Sequence, residues 1–245
     1  MKPTSEAIQT RYAARRFSAQ ELPEELIVEL LELANRAPSG YNLQPWHFVL
    51  VRDTHMRQLL SHIALDQSQI IEAPATVVFV ANPHAWKDHY PSILERSLAT
   101  AAITEDYANL CSKMVRQFFN LGPLGLGGFF KRISLPLRRL RTPTPDLIST
   151  PEGATSYVRA QVMLAAATFL IAASGRGLAS NPIEGFDESR LKKLLAIPRY
   201  MSVPLVVALG YPHEHDVQPT SYRQPLSEKL SIEIFSELWP GNGTS

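Results

Sequence analysis

The chain has 245 residues, 45% of them apolar, enough to bury one good-sized core without subdividing. Its formal charge of +1 argues against a general nucleic-acid binder, which carries a clear basic excess. A single cysteine, Cys111, excludes an intrachain disulfide framework and a multi-cysteine metal site, and no secretory apolar stretch opens the chain, so the expectation is a soluble, cytoplasmic protein.

A short helix is predicted over residues 4–12, followed by an extended stretch through Arg15–Phe17. Pro23 suits the first turn of a second helix, with Glu24 and Glu25 near its positive end. Leu26, Leu30, Leu33 and Ala34 recur at helical spacing and mark its buried face. Residues 37–46 then read Ala-Pro-Ser-Gly-Tyr-Asn-Leu-Gln-Pro-Trp. Two prolines and a glycine hold this segment out of regular structure. Ser39, Asn42 and Gln44 give it groups that both donate and accept hydrogen bonds. A ligand with an alternating donor–acceptor edge, such as the pyrimidine end of a flavin, requires such groups. The alternative is a self-satisfied turn in which Ser39 and Asn42 bond only their own backbone.

Trp46 to Val51 reads as a strand, with Trp46 in the core. Asp53 caps a helix to about His62, and the valine-rich Ala75–Ala81 reads as a second, fully buried strand. One long helix is predicted from about Pro91 to Val115, and Cys111 behaves there as a small buried hydrophobe.

No acid lies between Asp106 and Asp146, while Lys113, Arg116, Lys131, Arg132, Arg138, Arg139 and Arg141 do, so the rest of the chain is net acidic. Phe118-Phe119, Gly125, Gly127, Gly128 and Phe129-Phe130 give this stretch a flexible apolar centre. It reads as an insertion at about 113–150. For residues 113–145 three readings stand: a substrate lid roofed by those phenylalanines, a solvated loop, or a membrane-surface patch whose basic flanks meet anionic lipid.

Thr155 to Ser174 reads as a long helix halted by Gly175 and Gly177. It is apolar around nearly its whole circumference, as suits the centre of a core or a subunit interface. Its apolar run, Val162–Ala173, is too short to cross a bilayer. Asp187 caps a short helix to Leu195, and Val203–Leu209 is a third strand before a proline-bearing loop and a tail. His213-Glu214-His215-Asp216 reads as a solvated loop, because no distant ligand set accompanies it. Few strands and long helices predict an α+β sandwich with a central sheet. Neither a P-loop nor a Gly-x-Gly-x-x-Gly follows a strand, and no Gly-x-Ser-x-Gly elbow occurs.

Four blocks stand out together: Thr10-Arg11-Tyr12-Ala13-Ala14-Arg15-Arg16-Phe17, the loop at 37–46, Gly177 to Asp187, and Ser221-Tyr222-Arg223-Gln224-Pro225-Leu226. In that order and at those separations they resemble the FMN-dependent nitroreductase family, over roughly residues 5–110 and 155–227. The resemblance implies a nitroreductase-like three-layer sandwich, its central mixed or antiparallel sheet flanked by helices, as one domain over 1–245 in an intertwined homodimer. It also implies FMN at the subunit interface and hydride transfer from NAD(P)H through flavin N5 to a quinone, nitroaromatic or similar small oxidised substrate, by a ping-pong scheme. No side chain need act as acid or base. Dehalogenation, flavin breakdown and dehydrogenation use the same fold, and a flavin-binding protein without turnover is the remaining alternative.

By this resemblance Arg11 and Arg223 grip the FMN phosphate, Tyr12 and Ala13 line the same cofactor, and Arg15 faces the flavin N1 and O2 edge, where its charge stabilises the reduced ring. Pro38, Ser39, Gly40 and Asn42 reach the flavin from the other subunit, with Gln44 behind them. Pro182, Ile183, Glu184 and Gly185 cover one flavin face, and a backbone N–H near Glu184 or Gly185 donates to N5. Three positions depart from the family pattern. Ala13 stands where many relatives have serine, Ser221 where some have lysine, and Gln69 aligns with an amide or lysine near the ring.

Overall fold

In the computed structural model, which describes residues 2–216 and 222–235, four strands form one sheet in the order β1-β2-β4-β3. They are β1 (Trp46–Val51), β2 (Ala75–Ala81), β3 (Ala179–Ile183) and β4 (Ser202–Gly210). Every neighbouring pair is antiparallel. The central strands β2 and β4 are buried along their whole length, because helices cover both faces. That double burial is why they read as continuous apolar runs rather than alternations.

Neighbouring residues of one strand point to opposite faces and so enter different cores. Val77, Phe79, Leu205 and Val207 pack on α2 (Glu24–Asn35) and α9 (Pro151–Gly175). Val78, Val80, Val206 and Ala208 pack on the other side, on α3 (Thr54–Ile63), α4 (Ser68–Glu72) and α10 (Glu188–Leu194). The result is the three-layer α+β sandwich expected from the sequence. Asp53 and Asp187 cap α3 and α10, accepting from the backbone N–H of Met56 and Arg190. Phe79 meets Phe169 of α9 edge to face, centroids 5.6 Å apart.

Three elements depart from the sequence reading. The single helix expected over 91–115 is two, α6 (Tyr90–Ala99) and α7 (Glu105–Phe119). Between them Ala101 takes a φ of 52°, and the Thr104 hydroxyl caps α7 by accepting from Tyr107 N. That cap, with Glu105 and Asp106 in the first turn, outweighs the helix propensity of the alanines. Strand β3 is not among the expected strands, its Pro182 and Ile183 being assigned to the stretch that covers a flavin face; it lies at the sheet edge, where proline's missing donor is tolerated. The stretch expected to be flexible holds a helix, α8 (Leu126–Arg139), after the end of α7.

Helix α9 has 25 residues and is long and apolar enough, by length and composition, to cross a membrane. It instead lies on the sheet, with Val158, Val162, Ala165, Ala166, Phe169 and Ala173 buried. Its outer side leaves Ala160, Met163, Leu164 and Ala167 exposed at helical spacing. Helices α1 (Thr4–Thr10) and α5 (Ala85–Asp88) are the remaining α-helices among the described residues.

Candidate active site

After α1 the chain runs along the outer edge of β3. Ala13 forms a parallel bridge with Ser180, Ala14 N donates to Ser180 O at 3.0 Å, and the Asn181 side-chain amide donates to Ala14 O. These bonds seat Arg11 and Tyr12 over a cavity of about 150 Å³ that Lys2, Thr10, Ser180 and Pro212 also line. Among the described residues the lining holds two cations, Lys2 and Arg11, and no carboxylate, with Asp216 standing beside its Tyr12. The Tyr12 hydroxyl is buried without a well-formed hydrogen bond. Burial, then the interaction of the hydroxyl with the neighbouring Asp216 carboxylate, pushes its pKa up to about 12, so it stays neutral at ordinary pH. Arg15 is exposed and makes no side-chain bond among the described residues.

At the far end of β3, Ile183 is buried and Glu184 and Gly185 emerge into solvent. Phe186 N turns back to Glu184 O at 3.2 Å and Asp187 N donates to Ile63 O at 3.0 Å. Gln67, just before α4, holds the turn by donating its amide to Gly185 O and Ala64 O, both at 3.1 Å. Among the described residues the N–H groups of Glu184 and Gly185 donate to nothing. A Cβ on Gly185 would meet only Gln67 Nε2, at 3.7 Å, an ordinary contact. Packing within its own chain therefore does not demand glycine there. Gln69 is buried within α4. That helix is anchored by the buried Arg57, whose guanidinium donates to Ile71 O at 2.6 Å, to Ala73 O and to Arg52 O. Burial lowers the Arg57 pKa, and the helix-end carbonyls compensate its charge.

The loop at 38–44 leads into β1, the opposite edge of the sheet. Tyr41, Asn42 and Gln44 all take positive φ, at 56°, 56° and 47°, a clustering of left-handed residues that persists only where surroundings enforce it. They do so here. Gly40 N donates to Gln161 Oε1 at 2.7 Å, Gln44 N donates to Ser39 Oγ at 3.0 Å, and His89 Nε2 donates to Leu43 O and Gln44 O, both at 3.1 Å. Trp46 is buried, its Nε1 donating to Asn35 Oδ1 at 2.7 Å. Ser39 is thus spent on the turn's own backbone, whereas Asn42 is exposed and Gln44 reaches only Asn42 O, at 3.4 Å.

Arg11, Tyr12, Ala13 and Arg15 therefore share the β3 edge with Pro182, Ile183, Glu184 and Gly185, and Pro38, Ser39, Gly40, Asn42 and Gln44 stand at the β1 edge. Two buried strands lie between them, an offset of about 14 Å at the usual strand spacing. Arg223 is exposed, and its Nη1 donates to Tyr222 O at 3.1 Å; among the described residues it makes no bond to Arg11. Ser221 lies outside the described residues.

The Nitroreductase family model matches residues 8–211. The chain belongs to the nitroreductase family. As a nitroreductase-family protein it is an oxidoreductase, and the match takes in every block of the candidate site except the one around Arg223. It is 28% identical to a NADH dehydrogenase of Thermus thermophilus, over 88% of this chain and 89% of that protein. It is 24% identical to an iodotyrosine deiodinase of Thermotoga neapolitana, over 87% and 91%. Among solved structures, a protein of Exiguobacterium sibiricum in complex with FMN shares the fold at a TM-score of 0.73 and 15% identity, over 95% of this chain and 98% of that one.

The residues that hold the site in shape, Gln67, Arg57, His89 and Gln161, carry no signal of that role in the sequence. Gln161 lies 121 positions from the Gly40 it bonds, and Gln67 lies 118 from Gly185. A lone glutamine carries no local signature of such a partner.

Proposed function

We propose that the protein is an FMN-dependent NAD(P)H oxidoreductase, one domain per chain, acting in the cytoplasm as a homodimer on small oxidised molecules. The observation that carries this reading is the division of the site. Unspent donors and cations gather at the β3 edge, exposed amides gather at the β1 edge, and a sheet interior separates them. A two-fold dimer pairs one edge of each chain with the opposite edge of its partner, making two complete sites. The exposed stripe of Ala160, Met163, Leu164 and Ala167 on α9 supplies apolar surface suited to such an interface.

The residues fit the cofactor. Arg11 offers a planar, always-charged group to a phosphate, and Tyr12 a neutral hydroxyl beside it. The unbonded N–H groups at Glu184 and Gly185 suit a ring nitrogen, and Gly185 leaves room for close approach. Asn42 and Gln44 offer amides to the pyrimidine edge, and Arg15 a fixed cation for a developing negative charge. Arg223 would add a second phosphate ligand. When bound, FMN supplies two-electron transfer between a nicotinamide and an acceptor such as a quinone or nitroaromatic. Reductive dehalogenation is a second reading, favoured by the deiodinase among the relatives.

Anaerobic addition of NADH or NADPH to the FMN-loaded protein tests the proposal. Bleaching of the yellow band at about 450 nm, reversed by a quinone or nitroaromatic, is expected. A persistent yellow colour with both nucleotides refutes catalysis. Reversal by iodotyrosine alone favours the second reading.

A further inference from the structure

Helix α8 is amphipathic in the reverse sense from a helix that serves a core. Gly128, Lys131 and Leu135 make its inward contacts. A Cβ on Gly128 would sit 2.3 Å from Ser149 O, Lys131 Nζ donates to Phe118 O at 3.1 Å and Ile148 O at 3.0 Å, and Leu135 is buried. Spaced by three and four residues, these lie on one side and set the orientation of the helix. At about 100° per residue the opposite side carries Leu126, Phe129, Phe130, Ile133, Leu137 and Leu140. All six are exposed, Phe130 at 66% and Leu140 at 82%. A surface helix ordinarily turns such a stripe inward, and a contiguous outward stripe marks an interaction site.

Charge identifies the partner. Arg132, Arg138 and Arg141 flank the stripe, and none pairs with a carboxylate among the described residues; Arg139 pairs with Asp146. No acid lies between Asp106 and Asp146 to repel an anionic surface. The helix has 14 residues, about 21 Å, too short to span a bilayer but suited to lying in its surface.

We propose that α8 docks the protein onto an anionic phospholipid bilayer, its apolar stripe at the acyl boundary and its arginines among the headgroup phosphates. Two-fold packing of α8 on its own copy would set arginine flanks against arginine flanks, whereas headgroups offer the opposite charge along the whole helix.

The test is co-sedimentation of the full, FMN-loaded chain with phosphatidylcholine vesicles made with or without phosphatidylserine. Binding is expected only with phosphatidylserine and is released by added salt. Arg132→Gln/Arg138→Gln is expected to weaken it about 25-fold, at roughly fivefold per charge. Phe130→Asp/Leu137→Asp weakens it by roughly tenfold or more. All four positions are exposed, so melting temperature, flavin content and sedimentation coefficient are expected to match the parent. Failure of the parent to bind the anionic vesicles overturns the proposal. So does a change in oligomeric state in Phe130→Asp/Leu137→Asp, which would assign the stripe to a second copy of the chain.

Discussion

Gly40→Ala tests whether the left-handed loop is held from beneath by α9. An added Cβ would lie 2.1 Å from Tyr157 Oη, 3.4 Å from Cζ of the same ring and 3.8 Å from Gln161 Oε1, the acceptor of the Gly40 N–H. The Tyr157 ring has little room to retreat, since Phe118 and Phe119 stand 5.1 Å and 5.5 Å from it, centroid to centroid. Overpacking of this kind costs about 1–3 kcal/mol. For a chain of this size each kcal/mol moves the melting temperature by about 2–4 °C, so Gly40→Ala is expected to melt about 2–12 °C lower and to retain less FMN. Tyr157→Phe removes only the clashing oxygen and leaves Cζ at 3.4 Å, an ordinary contact. The double variant should therefore recover most of the loss. Melting curves and flavin content of the four proteins complete the cycle. A Gly40→Ala protein that melts with the parent, or a loss that Tyr157→Phe merely adds to, refutes this account of the loop.

Arg11→Ala and Arg223→Ala are each expected to weaken FMN retention about 10-fold or more, the loss of one charge-assisted hydrogen bond, with little change in melting; flavin content equal to the parent's after purification contradicts the assignment. Arg15→Ala is expected to lower the two-electron flavin potential by about 30 mV for each 1.4 kcal/mol of lost stabilisation, and an unchanged redox titration removes Arg15 from the site. Phe169→Ala, at the centre of the core, should cost about 3–5 kcal/mol, read by denaturant unfolding. Burial, then the charge of His89, lowers the His47 pKa from its ordinary 6.5, and burial, then Lys87, lowers that of His84. Folded protein thus binds fewer protons than unfolded at these positions, so their contribution is present above about pH 6.5 and is lost on acidification. Melting should fall between neutral pH and about pH 5, and fall less in His47→Gln/His84→Gln.

Much of the architecture was legible locally. The bounds of β1 and β2 follow from apolar runs and the caps of α3 and α10 from aspartate chemistry, each expressed within a few residues; on α2 the helical spacing places Leu30 and Ala34 in the core, but Leu33 is exposed and Ile27 is buried in its stead. Where local signals compete, the reading failed. Alanines favoured one helix over 91–115, and the Thr104 cap made two; Pro182 and Ile183, assigned to a flavin-covering stretch, belong to a strand that an edge position permits. Phe118-Phe119 and Phe129-Phe130 look alike in sequence, yet Phe119 is buried beside Trp86 and Tyr157 while Phe129 and Phe130 face outward.

The amino-acid order by itself determined the family, the α+β class and the residue types available for chemistry, because these reside in short patterns and in their succession along the chain. Only the tertiary structure decided that the cationic block and the Glu184–Gly185 turn share one sheet edge while the amide loop stands at the other. It alone decided which side of α8 meets solvent. The first depends on strand order and on contacts between residues more than a hundred positions apart, the second on the seating of Gly128 and Lys131 against Phe118, Ile148 and Ser149, and neither kind of packing leaves a periodicity in the sequence to read.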